Sequence, residues 1–398
     1  MKKKTAALTA ALVLVLCGGC WDRRELSEHA IILGAGVDRR PDGAVELTLQ
    51  LVRPAAFAGG TEGGGAANVS LGQNIVWVVS AAGEDVYDAQ RNLALQVPRH
   101  LYWGHNALLV FGEEMARHGV REATNFFHRH PQPRETAWVM VARGTAKKVL
   151  QSHSELEKTS GQAIGFLARA KAGHAVRFID MIKDLASPGA NPALTRLEPV
   201  RQGEPQGPGM EEAPQHEEVV FTGEAVFKDD KLVGWLDRHE TRGLLWLRGE
   251  MKRGVVTVPS PTEPKKKISF EIIRSKTKAE PFYDGKTISF LVNIITEGNL
   301  VEQQSKENLI PPEVLPALEK RLAEDIEKRC RMALEKAQGE YGTDVFRFGE
   351  AFHRKYKKEW RTLKSRWNEE FTGAEISVSA KVRIRNTGLL TKRASLKK

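Results

Sequence analysis

Two cysteines stand three residues apart near the N-terminus, in the segment LCGGCWDRREL at residues 16–26. Cysteines at this spacing can form a redox pair or half of a metal site, and a cysteine can also carry a lipid. A redox CxxC motif belongs beside a folded βαβ pattern, and no such pattern precedes Cys17. A zinc site needs further ligands, and Cys330 is the one remaining cysteine. The residues before Cys17 therefore decide among the three interpretations.

The first 19 residues have the pattern of a secretory signal peptide. Lys2–Lys4 are positive, and the apolar run Ala6–Leu16 is shorter than the roughly 20 residues that span a bilayer. Small residues follow this run and end at Gly19, directly before Cys20. This arrangement resembles a bacterial lipobox, in which the signal is cleaved between Gly19 and Cys20 and the Cys20 thiol receives a diacylglyceryl group. Cys17 is the poorer acceptor because the bulky residues Val15 and Leu16 precede it.

Composition limits the class of protein. Loss of residues 1–19 would leave 379 of the 398 residues and lower the formal charge from +10 to +7. An internal disulfide is then excluded, so a hydrophobic core must stabilise the fold. A basic exported protein is attracted to an anionic membrane, and we expect no nucleic-acid partner in that compartment.

The periodicity of the sequence predicts mixed secondary structure. Residues 31–36 and 45–51 read as paired strands around a turn at Pro41–Gly43, and the stretch 154–186 reads as mainly helical, opened by a Ser154/Glu157 capping box. The Pro-, Gly- and Glu-rich segment 201–218 reads as a linker. Strands and helices follow one another without regular βαβ repetition, which predicts a multidomain α+β fold.

The predicted domain boundaries follow from these features. The predicted parts are the signal peptide (1–19), an N-terminal α+β region (20–200, divided near residue 145), the linker (201–218), a C-terminal α+β domain (219–390) and a basic tail (391–398).

The C-terminal domain is predicted to pack antiparallel strands on long helices. A helix after Pro312 places Cys330 on its apolar stripe, so Cys330 is expected to be a buried hydrophobe rather than a reactive thiol. A second apolar stripe runs from Phe352 to Phe371, with lysines and arginines on the opposite face. Such a helix can lie on a membrane, but a core helix is favoured because an alternating strand, residues 376–384, follows at once.

Motifs for enzymatic chemistry are absent. The sequence contains no GxSxG elbow, P-loop or HExxH motif. His128 and His130 form an HxH pair without a third ligand at a suitable spacing, and a pair of surface histidines is the favoured interpretation. We therefore expect no catalytic residue, no metal ion and no cofactor.

Several segments resemble the Ger(x)C family of spore germination lipoproteins, the C subunits of nutrient germinant receptors. The segments are GCWDRREL with ILGAGVD (19–38), GHNALLVFGEEMARHGV (104–120), RETAWVMVARG (134–144), GEAVFKDDKLVGWLDRHETRGLLWLRGEMKRG (223–254) and DVFRFGEAFHRKYKKEWRTLKSRWNEEF (344–371). The departures from the family are Cys17 within the lipobox and the glycine-rich stretch at residues 59–68.

The resemblance implies a three-part α+β protein, held by its lipid on the outer face of the inner spore membrane. It implies a non-enzymatic role in receptor assembly and germination signalling beside the receptor's A and B subunits. Whether this subunit binds the nutrient germinant itself stays open. The alternative is a lipid-anchored extracytoplasmic solute-binding protein, although such proteins usually show two βαβ lobes. A lipid-tethered cell-wall hydrolase is disfavoured because the catalytic motifs are missing.

Overall fold

Two sheets organise the chain in the computed structural model, which describes residues 25–53, 75–152, 154, 156–170, 173–202, 216–305 and 314–386. The strands of the first sheet are β1 (His29–Arg39), β2 (Val45–Val52), β3 (Val76–Gly83), β4 (His100–Tyr102), β5 (Leu108–Phe111), β6 (Trp138–Ala142), β7 (Val176–Arg177), β8 (Ala193–Gln202), β9 (His216–Lys228) and β10 (Lys231–Leu236). Their order is β10-β9-β8-β6-β5-β1-β2-β3, with β4 beside β1 and β7 beside β6. The central neighbours β1, β5, β6 and β8 run parallel, and the outer pairs are antiparallel.

Helices cover both faces of this sheet. They are α1 (Val86–Ala94), α2 (Glu113–His118), α3 (Arg121–Arg129), α4 (Ala146–Gln151), α5 (Ser160–Arg169) and α6 (Phe178–Ala186). The apolar sides of α1, α2, α3 and α6 share one core, and those of α4 and α5 share the core on the opposite face. The predicted mixed α+β class is confirmed.

The predicted hairpin of β1 and β2 is confirmed, and it is buried more completely than its alternation suggests. Gly43 adopts a positive φ of 88° in the turn, where a side chain would be strained. Thr48 and Gln50, on the polar side of β2, are 0% and 1% exposed because α4 and α5 cover that side. The buried Gln50 amide keeps hydrogen-bond partners, because its Nε2 donates to the Leu150 carbonyl, at 3.1 Å, and to the Ser160 hydroxyl.

The expected helix start at Ser154 is wrong. The Glu157 backbone N–H does donate to the Ser154 hydroxyl, at 3.3 Å, but no helix continues from this turn. Helix α5 begins at Ser160 instead, where the Thr159 side chain accepts the Gln162 N–H. A capping residue marks a helix start only where the residues after it can be buried. In α5 the buried side includes Gly161 and Ile164, which follow the Thr159 cap and not Ser154.

Both ends of the segment 201–218, which the sequence predicts to be a linker, are strand residues. Residues 201–202 end β8, residues 216–218 begin β9, and Gln202 pairs with His216 in an antiparallel ladder. Residues 203–215 lie outside the described residues. Strands β9 and β10 therefore belong to the first sheet, although the sequence assigns them to the C-terminal domain.

The second half of the chain builds a smaller sheet against helices. Its elements are α7 (Arg238–Leu247), β11 (Gly254–Pro259), β12 (Lys267–Tyr283), β13 (Ile288–Gln303), α8 (Val314–Glu335), a π-helical turn (Lys336–Tyr341), α9 (Phe348–Lys355), α10 (Lys357–Leu363), α11 (Trp367–Thr372) and β14 (Glu375–Asn386). The sheet order is β11-β12-β13-β14. The prediction of antiparallel strands holds for β11, β12 and β13, whereas β14 pairs parallel to β13.

The C-terminal apolar stripe is confirmed as core, but one continuous helix does not carry it. The backbone turns at Tyr356, whose φ of −115° and ψ of 61° separate α9 from α10. The Tyr356 hydroxyl accepts the Tyr283 N–H of β12, at 3.2 Å, which holds this break against the sheet. Trp367 and Phe371 are 1% and 0% exposed, so the apolar stripe faces protein rather than a membrane. In the described residues no helix combines the length and the apolar character needed to cross a bilayer.

Candidate functional site

The site residues predicted from the sequence, Gly19 and Cys20, lie outside the described residues, which begin at Glu25. Lipidation of Cys20 therefore stays a prediction. Cys330 is buried in α8 with its Sγ 3.8 Å from the Gly243 carbonyl oxygen, and burial raises the pKa of its thiol well above the ordinary value. Cys330 is thus a buried hydrophobe, as predicted.

The HxH pair lies at the surface. His128 Nδ1 stands 3.1 Å from the Glu135 carboxylate, and half of the His128 side chain is exposed. His130 Nδ1 accepts the Gln132 N–H, and partial burial lowers the pKa of His130. Three or more His, Cys, Asp or Glu side chains do not converge as a metal site anywhere in the described part of the chain.

A group of buried and half-buried charges lies between the first sheet and the second half of the chain, and we call it the junction cluster. Its members are His174 (before β7), Asp184 (α6), Glu224 (β9), Arg248 (C-cap of α7), Glu250 (after α7) and Arg347 (N-cap of α9). His174, Asp184 and Glu224 belong to the part of the chain that forms the first sheet and its helices. The other three residues follow α7, in the second half of the chain.

His174 is held between two carboxylates. Its Nδ1 lies 2.9 Å from Glu224 Oε2 and its Nε2 lies 3.2 Å from Glu250 Oε2. Burial by itself would lower the pKa of His174, but the charge and hydrogen bond of Glu224, with those of Glu250, raise it to about 9. His174 is therefore a cation at neutral pH. Burial raises the pKa of Glu224, and the cationic neighbours limit that rise.

Glu250 and Asp184 connect the same cluster to Arg347. Burial would raise the pKa of Glu250, but the His174 hydrogen bond and the charges of Arg248, His174 and Arg347 lower it to about 2. Arg347 donates Nε and Nη2 to the two oxygens of Asp184, at 2.8 and 3.1 Å, and Nη1 to Glu250, at 3.1 Å. This two-pronged geometry suits a guanidinium and not an ammonium group.

The cluster also contains buried polar atoms without a partner among the described residues. Glu224 Oε1 and Arg248 Nη1 are both in this state. The Arg248 side chain is 1% exposed, and its Nη2 lies 3.6 Å from Asp184. Loss of one charge from such a cluster leaves another buried and unpaired, which costs about 3–5 kcal/mol.

Backbone contacts reinforce the junction. Gly189 and Gly349 approach so closely that a Cβ on Gly349 would lie 2.5 Å from the Gly189 Cα. Beside them, buried Asp344 accepts the Trp367 Nε1–H and the Gly349 N–H, both at 2.8 Å. Burial raises the pKa of Asp344, and these hydrogen bonds oppose that shift. The junction is therefore a packed interior, and a substitution there would affect both halves.

A cleft of about 1600 Å³ opens beside the junction cluster. Four members of the cluster are among the residues that line it: His174, Glu224, Glu250 and Arg347. The protonated His174 already contacts two carboxylates, so it cannot act as a free general base. The arrangement is suited to binding through charge.

The known proteins that resemble the chain identify its family. A family model described as "Spore germination protein N-terminal domain" matches residues 22–199, and one described as "Spore germination B3/ GerAC like, C-terminal" matches residues 222–388. The chain belongs to the Ger(x)C family of spore germination proteins. The resemblance seen in the sequence is thus confirmed.

Relatives of this Ger(x)C chain extend over its whole length. It is 28% identical to "Spore germination protein KC" of Bacillus subtilis (strain 168), over 98% of this chain and 97% of the relative. It is 24% identical to "Spore germination protein B3" of the same organism, over 96% and 97% of the two chains. The "Crystal Structure of the GerBC protein" matches with a TM-score of 0.54 at 22% identity, covering 89% of this chain and 97% of that one. The last match shows a common fold.

The two Ger(x)C family models meet inside the first sheet. The N-terminal match ends within β8 and the C-terminal match begins within β9, and these strands are hydrogen-bonded neighbours. The junction cluster lies across the same boundary. Sequence patterns do not reveal it, because Asp184 and Arg347 are 163 residues apart and no periodicity links the two positions.

Proposed function

We propose that this protein is the non-enzymatic C subunit of a spore nutrient germinant receptor. In this role it would act beside the receptor's A and B subunits in assembly and germination signalling. The observation that carries the proposal is the match of both Ger(x)C family models, which together cover residues 22–199 and 222–388.

The packing of the junction supports a coupling role. Asp184 of α6 pairs with Arg347 at the N-cap of α9, and His174 pairs with Glu250 after α7. The close Gly189–Gly349 contact lies across the same boundary. A subunit that transmits a change from one partner to another needs halves that move together. The junction cluster supplies such a connection. Because most of its charges are buried, water cannot replace a lost partner, and separation of the halves would leave charges unpaired.

A lipid at Cys20 would hold the protein at the outer face of the inner spore membrane. Two acyl chains give stable anchoring, whereas one chain binds only marginally. Glu25 follows Cys20 by five residues, which reach at most ~18 Å when fully extended. The N-terminal end of β1, with His29 and Tyr102 in ring contact, would therefore lie close to the bilayer.

Substitution of Cys20 tests the proposal in spores. Cys20→Ala should abolish acylation, release the protein from the inner membrane and weaken the nutrient response. The readouts are palmitate labelling, membrane fractionation and the rate of germination with nutrient. Cys17→Ala is the matched control, because Cys17 should leave with the signal peptide; it should keep the lipid and the nutrient response.

Co-purification tests the proposed partners. The wild-type chain should bring down the A and B subunits from detergent-solubilised spore membranes. Absence of both subunits, with the chain itself recovered and acylated, would contradict the receptor assignment. Full nutrient response of Cys20→Ala spores with the protein absent from the membrane would contradict the role of the anchor.

A further inference from the structure

The cleft beside the junction cluster is bordered by two strand edges. On one side, residues 218–221 of β9 line it consecutively, as expected where the edge of a strand rather than one face is exposed. On the other side, Gly254, Val255 and Thr257 of β11 line it. The cleft is therefore a gap between the first sheet and the second.

Neither of these edges is paired in the described part of the chain. Strand β10 pairs with β9 only over residues 224–228, so no described strand lies beside β9 on that side over residues 219–222. Strand β11 is the terminal strand of the second sheet and pairs only with β12. Strand edges of this kind offer backbone N–H and C=O groups to an additional strand, although the Arg242 and Arg321 side chains already donate to the Val255 and Pro259 carbonyls of β11.

The cleft walls carry an excess of positive charge. Eight Arg or Lys side chains and four carboxylates line it, among the residues that the structure describes. Glu224 and Glu250 are occupied by His174, which is itself a cation.

Several of these cations have no carboxylate partner. Arg177 donates to the Thr136 carbonyl and Arg242 to the Val255 carbonyl, and neither forms an ion pair with a described residue. Burial lowers the pKa of both, and the like charge of Arg169 or Arg329 lowers it further, while the nearby charge of Asp180 or Asp325 opposes the shift only in part. Exposed Arg238 and Arg253 add positive charge at the rim. An anionic occupant would relieve this repulsion.

Apolar side chains lie between the charges. Leu167 and Phe221 stand near the β9 edge, and Leu245 and Met251 stand near the β11 side. A segment in extended conformation directs successive side chains to opposite sides, so acidic residues could meet the arginines while apolar residues meet these side chains.

We infer that this cleft receives an extended acidic segment of a protein partner, which adds as a strand to the edge of β9 or β11. Backbone hydrogen bonds to the strand edge would provide affinity, and the arginines would select acidic side chains at alternate positions. This inference goes beyond the proposed function, because it concerns a binding mode that requires neither the lipid nor a nutrient.

Peptide binding to the full-length chain, purified in neutral detergent, tests the inference. The probe is a fluorescein-labelled ten-residue peptide of alternating Glu and Val, followed by fluorescence anisotropy. It should bind, and binding should weaken with added salt. A Lys–Val peptide should not bind, and a Glu–Val peptide with alternate backbone nitrogens methylated should bind at least about tenfold more weakly, because it cannot complete a ladder.

Charge reversal locates the binding site. Arg238→Glu with Arg253→Glu should weaken binding of the Glu–Val peptide at least about tenfold. The matched control is Arg361→Glu with Lys364→Glu, which changes the net charge equally at two exposed positions, one in α10 and one directly after it, that do not line the cleft. It should leave binding within about twofold. Peptide binding should also slow hydrogen exchange at residues 217–222 or 254–257.

Each contrary result overturns the inference. Absence of binding by the acidic peptide would exclude an acidic segment as the occupant. Equal binding of the methylated peptide would show ion pairing without strand addition. Equal weakening by the two double substitutions, or unchanged exchange at both strand edges, would place the peptide elsewhere on the basic surface.

Discussion

At the scale of single residues, His174 is the clearest case of a side chain whose charge depends on its surroundings. Burial opposes its protonation, yet contacts with Glu224 and Glu250 raise its pKa from 6.5 to about 9. A group whose pKa is higher in the folded than in the unfolded state stabilises the fold fully below the unfolded value. That stabilisation is lost as the pH rises through the folded value, here between about 6.5 and 9.

The pH dependence of stability tests this cluster. His174→Gln should lower the free energy of unfolding most at pH 6, and the pH-dependent part of its difference from wild type, about 3 kcal/mol, should disappear towards pH 10. The measurement is urea unfolding from pH 6 to 10. His118→Gln, a substitution at an exposed histidine of α2, serves as the control and should follow the wild-type profile. A pH-independent difference for His174→Gln would show that packing alone explains its effect.

At the scale of elements, β14 shows how an edge strand is protected. Glu327 of α8 accepts the Ala380 N–H at 2.9 Å, and Glu319 accepts the Ile384 N–H at 2.8 Å. These two carboxylates occupy donors that would otherwise be available to another chain. The long helix therefore contributes more than its apolar stripe: its polar side covers the edge of the sheet.

Removal of these carboxylates should expose the edge. Glu319→Ala with Glu327→Ala should cost about 1 kcal/mol per hydrogen bond and accelerate hydrogen exchange along β14. The control is Glu324→Ala, at an exposed position of the same helix. If exchange along β14 is the same in the double variant and in the control, the two hydrogen bonds do not protect the strand.

At the scale of the whole molecule, the junction decides whether the two halves behave as one body. The Gly189–Gly349 contact is where a side chain is least tolerated, since a Cβ on Gly349 would also lie 2.6 Å from Trp367 Nε1. Asp344 binds that same Trp367 nitrogen. A change at Gly349 would therefore disturb both the backbone contact and the buried carboxylate.

Gly349→Ala should lower the free energy of unfolding by about 1–3 kcal/mol through overpacking. Thermal unfolding and limited proteolysis near residues 187–191 measure the effect. Gly339→Ala, where an added Cβ meets nothing within 4 Å, is the matched control and should be nearly neutral. Equal stability of the two variants would show that the Gly189–Gly349 contact accommodates a side chain.

Features of the fold that depend on residues close in sequence were predicted better than features that depend on distant residues. The β1–β2 hairpin and the buried positions of Cys330, Trp367 and Phe371 follow from local periodicity, and they were predicted correctly. The helix start at Ser154 was wrong because the capping signal was present without apolar residues to bury directly after it. Local patterns indicate which side of a helix or strand is buried, but they do not fix the residue at which the element begins or ends.

The sequence by itself determined the family, the mixed α+β class and the apolar faces, because these depend on neighbouring residues and on motifs such as AVFKDDKLVGWLD. Only the tertiary structure decided that β9 and β10 join the first sheet, that β14 runs parallel to β13, and that a cluster of charges lies between the halves. Pairings between residues such as Asp184 and Arg347 carry no periodic signal. They arise when distant segments exclude water together, and their energies depend on burial that no local pattern encodes.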